Sequence, residues 1–181
     1  MKRVIMLCVV MLAFCAPAYI FAGACESAGN YYITFTFQGV EYTCELGLNG
    51  INGAAFAAVQ PGGYTFFAGA NVEKSINAPP TGDFVYVEGM VHATEVGSYD
   101  YLIFDVDIEV SAEGDYTKYE TFNGTLNITA FGEVGEAVEG DFDIGVGMIP
   151  TGGLVTPLDA LIPVEGTFRV QRIEYTLPIY N

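Results

Sequence analysis

The sequence is poor in the residues that most enzymes and nucleic-acid-binding proteins need. It has no tryptophan, one histidine and only six basic residues among 181. No nucleophile motif surrounds His92, and an imidazole-based triad or metal site would depend on that one residue. Phosphate-binding glycine loops and Cys-x-x-Cys pairs are also missing. We therefore expect no catalytic residue and no organic cofactor. The scarcity of Lys and Arg argues against nucleic acid or an anionic membrane surface as a partner.

Helical periodicity is missing as well. No segment has a sustained 3.6-residue pattern with caps, and almost every ordered-looking segment alternates polar and apolar residues with a period of two. Residues 25–181 are therefore predicted to form a single all-β domain of about ten short strands, an antiparallel sandwich or a barrel. The spacing of the strands does not distinguish these two architectures.

Four finer predictions follow from turn chemistry and alternation. Gln38-Gly39 is predicted to turn the chain between two strands of a hairpin. Asn123-Gly124, a dipeptide typical of tight turns, is predicted to join strands 116–122 and 125–131. Tyr99–Val110 has the clearest alternation and is predicted to be one strand. Gly89 is predicted to mark a bulge in strand 84–91. The remaining predicted strands are 33–37, 40–46, 54–59, 64–68, 141–148 and 166–173.

Residues 1–24 have the features of a secretory signal peptide. Lys2-Arg3 forms a positive start, an apolar run follows, and Ala22-Gly23-Ala24 supplies the small-x-small pattern that precedes cleavage. A transmembrane anchor is the alternative, but Pro17 and the lack of basic residues after the run argue against it. We therefore expect the protein in the periplasm, on the cell surface or outside the cell.

Removal of this segment leaves two cysteines, Cys25 and Cys44. Their even number in an oxidising compartment favours a disulfide between them. Cys25 also follows the small triplet directly, as the lipidated cysteine of a bacterial lipoprotein does, although Ala22 stands where leucine is preferred. A lipid on Cys25 would be the only membrane connection. Both assignments stay open.

The mature chain is strongly acidic. All 22 acidic residues lie beyond residue 24, while Lys2 and Arg3 leave with the signal, so four basic residues remain and the formal charge is −18. Such a charge keeps an apolar β-rich protein soluble, and it also permits cation binding.

Two acidic segments suggest a calcium site. Asp105, Asp107 and Glu109 alternate along one predicted strand, so their carboxylates share a face, and Asp141 and Asp143 do the same on another. If those strands pair, like charges lie opposite each other, and a bound Ca²⁺ would relieve the repulsion. The alternative is that the strands are not neighbours, or that the face is simply solvated. These five residues are the predicted metal ligands.

Residues 124–132, 134–142 and 164–170 contain a pattern of glycines and strand residues. Together these stretches resemble small exported bacterial proteins and lipoproteins, and Ile33–Tyr42 is similar to their first hairpin. The resemblance implies a β-sandwich-like fold in the cell envelope. Those proteins are largely of unknown function, so it implies no site residue.

Three functions are compatible with the sequence. The first is a non-enzymatic exported β-domain with a binding or structural role, with Ca²⁺ on its acidic face. The second is a lipocalin-like carrier whose tyrosines and phenylalanines line a cavity. The third is a hydrolase that uses two paired carboxylates, ranked last because 22 acidic residues make such pairs easy to find.

Overall fold

A computed structural model describes residues 30–47, 54–71, 83–112, 115–149 and 160–174. The predicted signal peptide and Cys25 lie outside these residues. The described part of the chain contains ten strands joined in one sheet and no α-helix. No helix there is long and apolar enough to cross a bilayer. The predicted all-β class is therefore confirmed.

The strands are numbered in chain order. They are β1 (Tyr32–Phe37), β2 (Val40–Cys44), β3 (Phe56–Gln60), β4 (Tyr64–Ala70), β5 (Phe84–Val91), β6 (Gly97–Asp100), β7 (Phe104–Ala112), β8 (Asp115–Phe131), β9 (Ala137–Met148) and β10 (Ile162–Ile173).

Seven strands close into a barrel, in the order β3, β4, β5, β7, β8, β9 and β10. The ring closes where Gln171–Ile173 of β10 pairs in parallel with Phe56–Ala58 of β3. Every other strand pair is antiparallel, so the prediction of a wholly antiparallel sheet is wrong at this one contact. Three strands lie outside the ring: β1 pairs with β10, β2 with β1, and β6 with β8. Of the two predicted architectures, the structure shows the barrel.

Large side chains fill the interior of the barrel. Phe67 and Phe168 stack at its centre with ring centroids 5.2 Å apart. The Phe168 ring lies over Gly140, and the Phe142 ring lies over Gly166, at positions where a Cβ would overlap them. Each buried phenylalanine contributes about 1.5–3 kcal/mol through apolar burial. Glycine in the strands therefore makes room for aromatic rings.

Gly89 follows the same rule, and the predicted bulge there is wrong. It pairs in regular register with Val106 on one side and Phe67 on the other. The ring of Phe67 occupies the space that a Cβ at Gly89 would need. Glycine at this position therefore makes room for the Phe67 ring, and the strand pairing around it is regular.

The hairpin around Gln38-Gly39 is confirmed. β1 and β2 pair from Phe37↔Val40 onward. The two turn residues have φ values of 52° and 77°. Positive φ at both central positions is typical of the type I′ turn, whose twist matches that of the flanking strands.

The single strand predicted over Tyr99–Val110 is wrong. β6 ends at Asp100, and β7 begins only at Phe104. A turn separates them, in which the N–H of Ile103 donates to the carbonyl of Asp100 at 3.0 Å. The apolar residues of this turn continue the period-two pattern of the two strands. The alternation therefore does not show that the strand is interrupted between Asp100 and Phe104.

The hairpin predicted around Asn123-Gly124 is also wrong. Both halves belong to the continuous strand β8, which pairs along its length with β9 and carries a bulge between Thr121 and Asn123. Gly124 has φ of 121°, and a Cβ there would overlap the carbonyl oxygen of Asp143. Pairing with a long neighbouring strand has overridden the local turn preference.

Candidate binding surface

Six neighbouring strands present two adjacent rows of polar residues, called the polar face below. Their order is β6, β8, β9, β10, β1, β2, and their outward residues form two rows that cross the strands. The first row is Ser98, Asn127, Asp141, Thr167, Thr34 and Thr43. The second, the carboxylate row, is Asp100, Thr125, Asp143, Glu165, Thr36 and Glu41.

Period-two alternation produces this surface. The triplets Thr34-Phe35-Thr36 and Asp141-Phe142-Asp143 place a buried phenylalanine between two outward polar residues. Glu165-Gly166-Thr167 has a glycine at the inward position, where the Phe142 ring packs. The same residues that fill the barrel thus hold the polar side chains in register.

The first row is partly linked by side-chain hydrogen bonds. The hydroxyl oxygens of Thr34 and Thr43 are 3.3 Å apart, and the amide of Asn127 donates to the carboxylate of Asp141 at 2.7 Å. These contacts satisfy polar groups that face the solvent and fix their orientation.

Three carboxylates of the second row have no such compensation. Asp143 and Glu165 lie directly opposite each other, and Glu41 lies two strands away. None of these three forms a hydrogen bond or ion pair with another described residue. Arg169, which follows Thr167 at the next outward position of β10, is ion-paired with Glu139 on β9. Like charges directly opposite across a strand pair are destabilising.

A shallow depression of about 580 Å³ lies over these side chains. Hydroxyl and carboxylate groups line it, together with parts of Phe35, Phe142 and Gly166. The hydroxyls and carboxylates are those of Thr34, Thr36, Glu41, Asp141, Asp143, Glu165 and Thr167. Oxygen donors of this kind suit Ca²⁺ or a hydroxyl-bearing ligand.

The five predicted calcium ligands are not brought together. Asp141 and Asp143 lie on the polar face, whereas Asp105, Asp107 and Glu109 lie on β7, and β8 separates the two strands. The assumption that the acidic strands pair is therefore wrong. No three His, Cys, Asp or Glu side chains within the described residues form a group that could hold a metal ion.

A lysine neutralises part of the acidic surface of β7. The Nζ atom of Lys118 on β8 is 2.8 Å from Asp107 and 3.5 Å from Glu120. Its hydrogen bond with Asp107 raises the pKa of Lys118. Beside Asp107, the Lys118 ammonium group thus supplies the positive charge that the sequence pattern assigned to a bound Ca²⁺.

Asp107 nevertheless lies in an unfavourable environment for a carboxylate. Burial raises its pKa to about 6, and the charges of Asp105 and Glu120 add to the increase, while Lys118 opposes it. The Oδ1 atom is buried without a hydrogen-bond partner. Glu88 of β5 lies directly opposite. Burial also raises the pKa of Asp105.

Cys44 ends β2 inside the core. Its thiol is buried and lies 3.8 Å from the carbonyl oxygen of Val85, to which it donates. Burial raises its pKa to about 12. Cys25, its predicted disulfide partner, lies outside the described residues, so that pairing stays a prediction.

Sequence reasoning missed two of the carboxylates that line the depression beside Asp143. Glu41 and Glu165 each stand at an outward position of an alternating segment, which is a visible signal. Their proximity to Asp143 depends on β10 lying between β1 and β9, which the sequence does not reveal. No protein-family model, curated protein or solved structure matches this chain.

Proposed function

We propose that the chain is an exported, non-enzymatic β-domain that binds a polar ligand through the polar face, with Ca²⁺ held between Asp143 and Glu165. The observation that carries this proposal is the pair Asp143 and Glu165, two exposed carboxylates placed directly opposite each other without a positive partner among the described residues. A divalent cation between them would remove the repulsion and leave coordination positions for ligand oxygens.

The packing of the barrel favours surface binding over the carrier alternative. A lipocalin-like carrier needs an internal cavity, whereas here Phe67, Phe142 and Phe168 occupy the interior. The hydrolase alternative needs two carboxylates in a cleft that positions a substrate and excludes water. Asp143 and Glu165 instead project from an open sheet surface.

Calorimetric titration with Ca²⁺ and thermal melting with and without it test the proposal. We expect binding heat and a raised Tm for the wild type, and loss of both in Asp143→Asn and Glu165→Gln. Without Ca²⁺ each variant should melt at a higher temperature than the wild type, because one of two repelling charges is gone. Asp115→Asn, an exposed residue at the start of β8, is the matched control and should respond to Ca²⁺ like the wild type. A wild-type protein without binding heat or Tm change would contradict the proposal.

We further propose that Cys25 carries a lipid and that the domain is tethered to a membrane by it. The burial of Cys44 supports this choice over the disulfide. Disulfide formation requires a thiolate and a partner Cβ within about 4.5 Å. The Cys44 thiol is buried and hydrogen-bonded to Val85, and a Cβ on neighbouring Gly69 would already lie 3.2 Å from Cβ of Cys44. Little space remains beside it for a second cysteine.

Intact-mass analysis of the full chain expressed in a bacterium tests the tether. We expect a mass increased by a diacylglycerol group and unchanged by a reductant. Cys25→Ser should lack the increment and leave the membrane fraction, whereas Cys44→Ala should retain both the increment and the membrane association. A mass deficit of two hydrogens that a reductant abolishes would instead establish the Cys25–Cys44 disulfide.

A further inference from the structure

One end of the barrel presents apolar side chains to solvent. The turn between β6 and β7 exposes Leu102 and Ile103 to 76% and 46%, and Met90 at the end of β5 is 43% exposed. Together with Tyr64 and His92 they line a depression of about 290 Å³, whose rim includes Asp105. We call this surface the apolar tip; its six residues are Tyr64, Met90, His92, Leu102, Ile103 and Asp105. Contiguous exposed apolar side chains rimmed by polar groups are typical of interaction sites.

The backbone holds this turn in place through several hydrogen bonds. The N–H of Leu102 donates to the carboxylate of Asp100 at 3.3 Å. The N–H of His92 donates to the carbonyl of Ile103 at 2.8 Å, and the N–H of Tyr101 donates to that of Gly124 at 3.2 Å. The turn is thus tied to β5 and β8, and binding there requires little additional ordering.

Aromatic rings form one wall of the depression. The rings of Tyr64 and His92 stack with centroids 4.2 Å apart and an interplanar angle of 9°. Nε2 of His92 lies 3.2 Å from the carbonyl oxygen of Gly62, which fixes the orientation of the imidazole. An apolar side chain that enters beside Met90 would contact this wall on one side and Leu102 on the other.

Negative charge borders the apolar tip on the side of β7. Asp105 belongs to the rim, Asp107 follows two residues along the same face, and Glu88 lies opposite Asp107. Lys118 contacts Asp107 but forms no ion pair with Asp105. An occupant that carries positive charge next to an apolar anchor therefore matches this surface best.

We propose that the apolar tip binds a cationic, amphipathic polypeptide segment, with an apolar side chain in the depression and a Lys or Arg against Asp105. A second copy of this chain is a poorer occupant, because each copy without residues 1–24 has a formal charge of −18 and would bring further carboxylates to the site. The apolar tip shares no residue with the polar face, so this proposal does not depend on the function proposed above.

Fluorescence anisotropy with labelled synthetic peptides tests the proposal. The probe is an alternating Lys–Leu peptide; Lys–Ser and Glu–Leu peptides of equal length control for charge and apolarity. We expect the wild type to prefer the Lys–Leu peptide, and Leu102→Ser and Asp105→Asn each to weaken its binding about tenfold. Val134→Ser is the matched control, because Val134 is 56% exposed in a turn that does not line the depression. Its affinity should equal that of the wild type.

Three results would overturn the proposal. Equal affinity for the Lys–Ser and Lys–Leu peptides would mean that net charge alone attracts the probe. Equal affinity of Leu102→Ser and the wild type would place the peptide elsewhere. A dimer in sedimentation experiments that Leu102→Ser abolishes would identify a second copy as the occupant. Leu102 is mostly exposed, so Leu102→Ser should fold, and circular dichroism and urea unfolding verify this.

Discussion

Asp107 should make the stability of this protein depend on pH between about 4 and 6. Its side chain is 13% exposed, one carboxylate oxygen has no partner, and burial raises its pKa from 3.8 to about 6 despite the contact with Lys118. The folded state therefore binds a proton more tightly than the unfolded state. As pH rises through this range, the folded state must ionise a carboxyl that the unfolded state ionises more easily, so the free energy of unfolding falls.

The size of the effect follows from the difference between the two pKa values. The increase from 3.8 to about 6 corresponds to about 3 kcal/mol, at about 1.36 kcal/mol per pH unit. Asp107→Asn resembles the protonated aspartic acid in shape and cannot ionise. We expect this variant to be more stable than the wild type at about pH 7 by up to about 3 kcal/mol. The difference should shrink as pH falls and vanish well below the unfolded-state pKa of 3.8, where Asp107 is protonated in both states.

Urea unfolding of both proteins at several pH values, in the presence of a chelator, measures this difference. Other carboxylates also gain protons in this range, so the relevant quantity is the free energy of the variant minus that of the wild type at each pH. Asp115→Asn is the control, since it changes the charge equally at an exposed position. A difference between Asp107→Asn and the wild type that does not change between about pH 4 and 7 would refute the reasoning.

Two further predictions concern backbone positions that only glycine fits. Gly89→Ala should lower the free energy of unfolding by about 1–3 kcal/mol in urea unfolding, because its Cβ would overlap the Phe67 ring; an unchanged midpoint would contradict the packing. Gly124→Ala should cost about 1–3 kcal/mol from its φ alone, and more if the Cβ meets the carbonyl of Asp143. Gly39→Ala, at a turn with open space around the Cβ, should cost less than Gly124→Ala, and the reverse order would count against the bulge.

The sequence predicted strands well where alternation and length agreed. The β1–β2 hairpin and β5 lie close to their predicted positions, because each alternates cleanly and ends at a turn residue or a loop. The predictions are wrong where the local sequence pattern favours one structure and pairing with a distant strand, or a turn, produces another. Asn123-Gly124 favours a turn by itself, but β9 pairs along β8 on both sides of it. The apolar turn at 101–103 imitates a strand because its residues happen to continue the period of two.

The candidate site could be predicted only in part for a related reason. Alternation shows that Asp143 and Glu165 face outward, since each follows an inward residue. It does not show which strands are neighbours, because any strand with the same period can pair with any other. The order of β9, β10 and β1 is set by packing between distant parts of the chain. The two acidic segments were therefore expected to lie on neighbouring strands, whereas β8 separates them and Lys118 lies beside Asp107.

The position of β10 has a consequence for how the chain reaches its native state. β10 pairs with β9 along one edge and with β1 and then β3 along the other. A nascent polypeptide that lacks it has three unpaired edges and no closed ring. Because β1 and β3 are far from β10 in sequence, closing these loops is entropically costly and slow. A chain that we propose is exported would thereby stay in a translocation-competent, unfolded form until its last strand is available.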